Sequence, residues 1–200
     1  MSTLGPVVLK VGGSLLDWPD LPRSLRRYLA DRQRDRLVLI VGGGRAADWV
    51  RDLDRWHGLG EECSHELALR ALDLTAYLLA ALVPGLEVVT RLEEVAPAWA
   101  TSLIPILAPR LVLEADDRKS VDPLPHTWEV TTDAIAARIA ARLDADELVL
   151  LKSTPLPPGT DRAGAARLGL VDPAFGRASR TLRRVTYLNL RDANATPAPL

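Results

Sequence analysis

The chain has 200 residues, 48% of them apolar and 26% charged, which fits one soluble domain with a substantial core. A formal net charge of −1 sets up no global field that would recruit nucleic acid or an anionic membrane. The single cysteine, Cys63, excludes an internal disulfide framework and fits a reducing compartment.

Residues 7–11 read as a short buried strand, ended by Gly12-Gly13 and followed by Ser14 as a helix cap. The first apolar run, broken at Lys10 and the glycines, is unlike a signal segment. Asp20 to Arg34 places Leu21, Leu25, Tyr28 and Leu29 on one face of an amphipathic helix. Leu37–Val41 repeats the opening plan: an apolar strand, the glycine turn Gly42-Gly43-Gly44, then a helix carrying Ala46, Val50 and Leu53. Ser64 is placed as the cap of a long helix ending near Pro84-Gly85. Within it, Leu67 to Val83 carries Arg70 and Asp73, against a membrane span.

The stretches LEVVTRL, LIPILAP and RLVLEAD read as strands, the second confined by its prolines to an edge or a short element. Thr131 or Thr132 caps the helix DAIAARIAARL, and DELVLL is the strand after it. Residues 153–183 are rich in Pro, Gly and Arg; VTYLNL closes residues 1–191 as a strand, with a loose tail over 192–200. Alternating helices and apolar strands predict an α/β fold, a three-layer α/β/α sandwich on a mostly parallel sheet.

Two strand-to-helix turns carry consecutive glycines, at the strand ends where ligands bind in parallel sheets. Glycine lets backbone amides approach an anion, and a helix N-terminus adds positive partial charge, so both turns are candidate phosphate sites. The bland alternative is a tight turn that merely needs glycine. Of 25 basic residues only Lys10, Lys119 and Lys152 are lysines, and Lys10 stands beside the first turn. A lysine kept in an Arg-rich chain is a candidate for a compact point charge. Gly42 to Ala47 also satisfies G-x-G-x-x-A, the dinucleotide fingerprint of an NAD(P)-dependent oxidoreductase, with Glu61 or Glu62 at the right separation for the ribose carboxylate. That carboxylate should end a strand, and WHGLGEECSHE is no strand. No P-loop signature occurs.

The segments LKVGGSLL, VLIVGGGRAAD and WEVTTDAIAARIAARLDADELVLLKS resemble, in that order, the motif blocks of the amino acid kinase family. Within it, SHELALRALDLTAYLLA and LPHTWEVTTD are similar to the small kinases of methanofuran biosynthesis, which phosphorylate an aminomethylfuran-methyl phosphate. The resemblance implies an ATP-dependent small-molecule kinase that acts on a phosphate or carboxylate acceptor, with Mg²⁺ held through nucleotide phosphates rather than a protein metal site. It implies Lys10 over the transferring phosphoryl, and Gly12, Gly13 and Ser14 as donors to ATP phosphates. Gly42, Gly43 and Gly44 would face the acceptor and the moving phosphoryl. Asp133 would orient the catalytic lysines; its bland reading is a helix-end carboxylate.

The chain departs from the family after its LVLL strand, where Lys152-Ser153-Thr154 replaces a small acidic turn. The late Gly-Gly-x-x-x-Lys segment of many members is absent. Lys152, Arg162 or Arg167 would then supply the second cation, or turnover is weak and the chain is a nucleotide sensor of the same fold. Arg45, His65, Trp128 and Thr132 are candidates for the acceptor side; His57, Cys63 and His65 match no zinc spacing, and Asp116-Asp117 reads as a solvated turn. A cytoplasmic homo-oligomer, dimeric as this fold commonly is, with a small-molecule substrate and no nucleic-acid or membrane partner completes the expectation.

Overall fold

The computed structural model describes residues 5–32 and 36–200. Strand β1 (Val7–Val11) pairs in parallel with β2 (Leu37–Val41) on one side and β5 (Glu147–Lys152) on the other. With β3 (Leu86–Val89), β4 (Ile104–Leu107), β6 (Val185–Asn189) and β7 (Ala198–Pro199), the order is β3-β4-β2-β1-β5-β6-β7, parallel except for β7. The chain winds outward from β1 through β2, then returns to add β5 at the other side of β1. The crevice at the C-terminal end of β1 is therefore the topological switch point, where ligands bind in open α/β sheets.

Alternation along the strands feeds two cores. Val7, Leu9 and Val11 face one, with Leu21, Leu25 and Leu29 of α1 (Leu21–Ala30) and Ala76 and Leu79 of α3 (Glu61–Leu82). Val8, Ile40, Leu148 and Leu150 face the other, with Ala134, Ile135, Ala137 and Ile139 of α6 (Thr132–Arg142). The small residues of α6 let it lie close against the sheet. α2 (Gly44–His57) and α3 pack on each other beside the β1–β2 end. α4 (Val95–Ala100) precedes β4; α7 (Arg162–Arg167) and α8 (Phe175–Ala178) fill the segment between β5 and β6.

Several expectations change. RLVLEAD is a helix, α5 (Arg110–Asp117), not a strand: Pro109 sits at its N-cap, and Val112, Leu113 and Asp116 share its buried face. Asp116 is no solvated acid; it is buried and ion-paired with Arg138 (2.7 Å) and Arg142 on α6. Ser64 is not a cap, because Gly58 and Gly60 at positive φ end one helix and start α3 three residues before it. Ser14 is not a cap either; it lies inside a 3₁₀ turn over Gly13–Leu15. α1 ends at Ala30, and Arg34, placed at its end from sequence, lies outside the described residues. β4 is short but is second from the edge, between β3 and β2. The tail is not loose: β7 pairs antiparallel with β6, and the Leu200 amide donates to Val185 O at 2.9 Å.

Candidate active site

Lys10 follows Val8 on the face of β1 that α6 covers, and the side chain is buried. Asp133, the second residue of α6, meets it there: Lys10 Nζ stands 2.8 Å from Asp133 Oδ1, a charge contact outside hydrogen-bond alignment. Lys152, the last residue of β5, donates to Asp133 Oδ2 at 2.8 Å and to Leu170 O at 2.7 Å. Two ammonium groups thus share one carboxylate and leave the cluster with one net positive charge. Burial works against the charge of Asp133, yet the Lys10 and Lys152 ammoniums outweigh it and hold the carboxyl below the ordinary range. Burial, and then the neighbouring Lys10 charge, lower the Lys152 pKa from 10.5 to about 8 despite the attraction of Asp133. The cluster favours an added anion, which would settle the surplus charge. Lys119, the third lysine, belongs to a different hollow beside α5.

The two glycine turns nest against each other. A Cβ on Gly13 would sit 2.4 Å from Gly44 N, and one on Gly42 would sit 2.6 Å from Gly13 N. Gly44 has φ +49°, and a Cβ there would lie 2.8 Å from Gly13 O. These glycines are thus needed for close backbone approach as well as for any ligand. The expected donor role of Gly12 is corrected: its amide donates to Leu151 O at 2.8 Å and continues the β1–β5 ladder. The Gly42 amide is likewise committed to Val11 O at 2.9 Å. Gly43 is the N-cap of α2, which has no acidic residue in its first turn and no side-chain cap, so the positive end of a 14-residue helix opens here. Ser14 Oγ and Ser153 Oγ lie 2.8 Å apart, linking the turns after β1 and β5.

A cavity of about 340 Å³ lies over this end, lined by Lys10, Gly13, Ser14, Gly42, Gly43, Gly44, Arg45, His65, Trp128 and Thr132, with Leu69, Leu72 and Ile135 as its apolar part. Every residue assigned to the acceptor side from sequence lines it. Gly12, Asp133 and Lys152 do not; Asp133 holds Lys10 and Lys152 together next to the lining. Arg45 is exposed and pairs with Asp17 at 3.0 Å. Sequence reasoning missed Arg51, which pairs with Asp48 (2.7 Å) and stacks over the Trp128 ring at 4.9 Å. Its signal was its position two turns into the helix that the glycine turn opens. Trp128 Nε1 donates to Asp54 Oδ2 at 3.0 Å.

His65 stacks on His126, centroids 4.7 Å apart. Burial, then the His126 charge, lower the His65 pKa. His126 lies between Glu62 (2.9 Å) and Asp117 (3.0 Å), and the Glu62 bond leads the upward shift of its pKa. Among the described residues no cluster of His, Cys, Asp and Glu forms a metal site. Arg162 is bound to Ser179 O and Leu182 O near the C-terminus and does not reach the lysine pair's carboxylate; Lys152 does. The dinucleotide fingerprint fails on its context, because Glu61 and Glu62 begin α3 instead of ending a strand.

The model of the amino acid kinase family matches residues 5–155. The chain is 28% identical over 144 residues to a [5-(aminomethyl)furan-3-yl]methyl phosphate kinase of Methanocaldococcus jannaschii, covering 72% of this chain and 63% of that one. It is 28% identical over 195 residues to a uridylate kinase of Hyperthermus butylicus, covering 94% and 74% respectively. Among solved structures, UMP kinase from Ureaplasma parvum superposes with a TM-score of 0.67 at 12% identity, over 96% of this chain and 93% of that one. Uridylate kinase from Archaeoglobus fulgidus gives 0.62 at 18% identity, over 91% and 89%. These structural likenesses establish the fold.

Proposed function

Because the chain belongs to the amino acid kinase family, we propose that it is an ATP-dependent phosphotransferase that moves the γ-phosphoryl group directly onto a small phosphorylated acceptor. The observation that carries this reading is the buried Lys10–Asp133–Lys152 cluster, which sets surplus positive charge at the switch point. Phosphoryl transfer asks for positioning and for neutralisation of charge on the moving group, and little covalent chemistry from the protein. Lys10 would stabilise the phosphoryl in flight, Lys152 the phosphate it leaves, and Asp133 would hold both ammoniums in place. Gly13, Ser14 and Lys152 would hold ATP phosphates, while Gly43, Gly44 and the open end of α2 would face the incoming acceptor. Mg²⁺, carried in on the nucleotide phosphates, would supply further neutralisation.

The acceptor we favour is an aminomethylfuran-methyl phosphate, which would become its diphosphate. The name of the Methanocaldococcus relative supports it, as does a cavity with an aromatic wall at Trp128, cations at Arg45 and Arg51, and carboxylates at Asp17 and Asp48. Uridylate is the second reading, supported by the Hyperthermus relative. The sensor alternative rests on the absent late lysine and the Lys152-Ser153-Thr154 turn; the Lys152–Asp133 contact supports the kinase reading over it. We place the protein in the cytoplasm as a homo-oligomer. Leu74, Tyr77, Leu78 and Leu82 form an exposed apolar stripe on α3 that a second copy would cover. Among the described residues no helix is long and apolar enough to cross a membrane.

The test is transfer of label from γ-labelled ATP to the furan-methyl phosphate and to UMP. We expect a labelled furan diphosphate, and a fall in kcat of about 10²- to 10³-fold for Lys10→Ala without loss of fold. Label on UMP alone selects the second reading. Tight ATP binding with no transfer to either acceptor contradicts the kinase reading and restores the sensor.

A further inference from the structure

Asp172 lies outside the cavity lining, yet it is buried and tied to the cluster behind it. Its Oδ2 accepts three hydrogen bonds: from the Thr131 amide (3.0 Å), the Thr131 hydroxyl (2.8 Å) and the Ala134 amide (2.9 Å). α6 has no side-chain cap of its own, because the hydroxyl of Thr131, its N-cap residue, is spent on Asp172. The start of α6, and Asp133 with it, is held from a segment about 40 residues later in the chain. Two residues before Asp172, the carbonyl of Leu170 accepts from Lys152 Nζ.

One short segment therefore holds Lys152 directly and the backbone on either side of Asp133. That segment is itself anchored: Val171 and Phe175 are buried in the α6 core, and Pro173 restricts the backbone of Asp172. Asp172 Oδ1 is buried with no hydrogen-bond partner, a cost that a cap made by Thr131 itself would avoid.

We propose that Asp172 is a positioning residue for phosphoryl transfer: together with the Leu170 carbonyl it straps the N-terminus of α6 to the Lys152 ammonium and so sets the geometry of the lysine pair. The proposal rests on the kinase reading above and deepens it. Asp172 touches no substrate; it acts through Asp133 and Lys152.

The experiment compares Asp172→Ala and Asp172→Asn with wild type by two readouts. The first is steady-state kinetics with ATP. The second is the pH dependence of amine labelling at Lys152, resolved by peptide mass spectrometry, which is simple in a chain with three lysines. In Asp172→Ala we expect kcat to fall roughly 10- to 100-fold, with KM for ATP within about threefold, since a small misplacement near the chemistry costs rate more than binding. We expect the Lys152 labelling midpoint to climb from about 8 toward 10.5 as the ammonium is released from its buried seat. Asp172→Asn keeps an acceptor oxygen and should hold both readouts near wild type.

An alanine variant that only melts earlier, with kcat and labelling unchanged, overturns the proposal. So does an asparagine variant as impaired as alanine. Should Asp172→Ala not fold, Thr131→Val, which removes one of the three donors, must move both readouts in the same directions; if it matches wild type, the proposal is overturned. If wild type transfers phosphoryl to no acceptor, the kinase reading fails on the kinetics, while the labelling midpoints still decide the strap.

Discussion

On the β1–β2 side of the cavity the site is made of backbone, and on the β5 side it is made of charge. The first wall is two glycine turns packed so closely that a single added carbon would lie inside contact distance of main-chain atoms. Behind the lining lie an ammonium at the end of β5, a carboxylate at the start of α6 and the strap at Leu170 and Asp172, brought together from three separate segments. The glycine wall tolerates no added atom; the charge cluster behind it tolerates no lost partner. Steric exclusion acts over tenths of an ångström and local sequence reports it, whereas a buried charge cluster depends on residues far apart in the chain.

The largest effect expected on the first wall follows from this contrast. Gly13→Ala should destabilise the fold by about 3 kcal/mol, at the upper end for overpacking, because the atoms it meets are backbone and cannot swing away. Gly12→Ala in the same turn, whose Cβ would meet Leu151 O at 3.1 Å, should cost about 1 kcal/mol. Urea unfolding of both variants measures the gap. Equal costs would mean that the nested packing of the turns is not what requires glycine.

The smallest effect concerns His126, which stacks on the cavity residue His65. The folded pKa of His126 is raised by its bonds to Glu62 and Asp117, so its protonation adds stability below its unfolded value near 6.5. That contribution is lost as pH rises through the folded value. The segment 118–128 should therefore loosen as pH rises from about 6.5 through the folded value, by less than about 1 kcal/mol after solvent screening. Hydrogen exchange of its amides should show this in wild type and lose the pH dependence in His126→Asn. A variant that keeps the dependence would assign it elsewhere.

How much could be read in advance follows the same division. Lys10 and the glycine turns were legible because they sit where a strand gives way to a turn and local pattern is strongest, whereas Asp133 was singled out through the family resemblance. Of the residues expected on the acceptor side, His65 was singled out through the family resemblance and Arg45, Trp128 and Thr132 by their places in or beside the motif blocks; all four line the cavity. Lys152 was legible only by elimination, since its partner Asp133 lies 19 residues away and no local periodicity links them. Asp172 was missed altogether. Its one signal is indirect: Thr131 stands at the N-cap of α6 and Thr132 begins it, yet neither hydroxyl caps the helix, and an acid in an otherwise apolar loop does so instead. α5 was misread because Leu111, Val112 and Leu113 run together like a strand, and eight residues give too few turns for helical period to show. The tail was misread because two residues suffice to make β7.

The central claim is that Lys152, at the end of β5, serves as the second cation for phosphoryl transfer. The most direct test is the pH profile of kcat/KM for ATP, which reports groups in the free enzyme. Wild type should lose rate as pH rises through about 8, where Lys152 sheds its proton. Lys152→Arg, whose guanidinium stays charged, should retain turnover without that alkaline limb. A limb at the same pH in Lys152→Arg, or a wild-type profile flat through 8, would contradict the account.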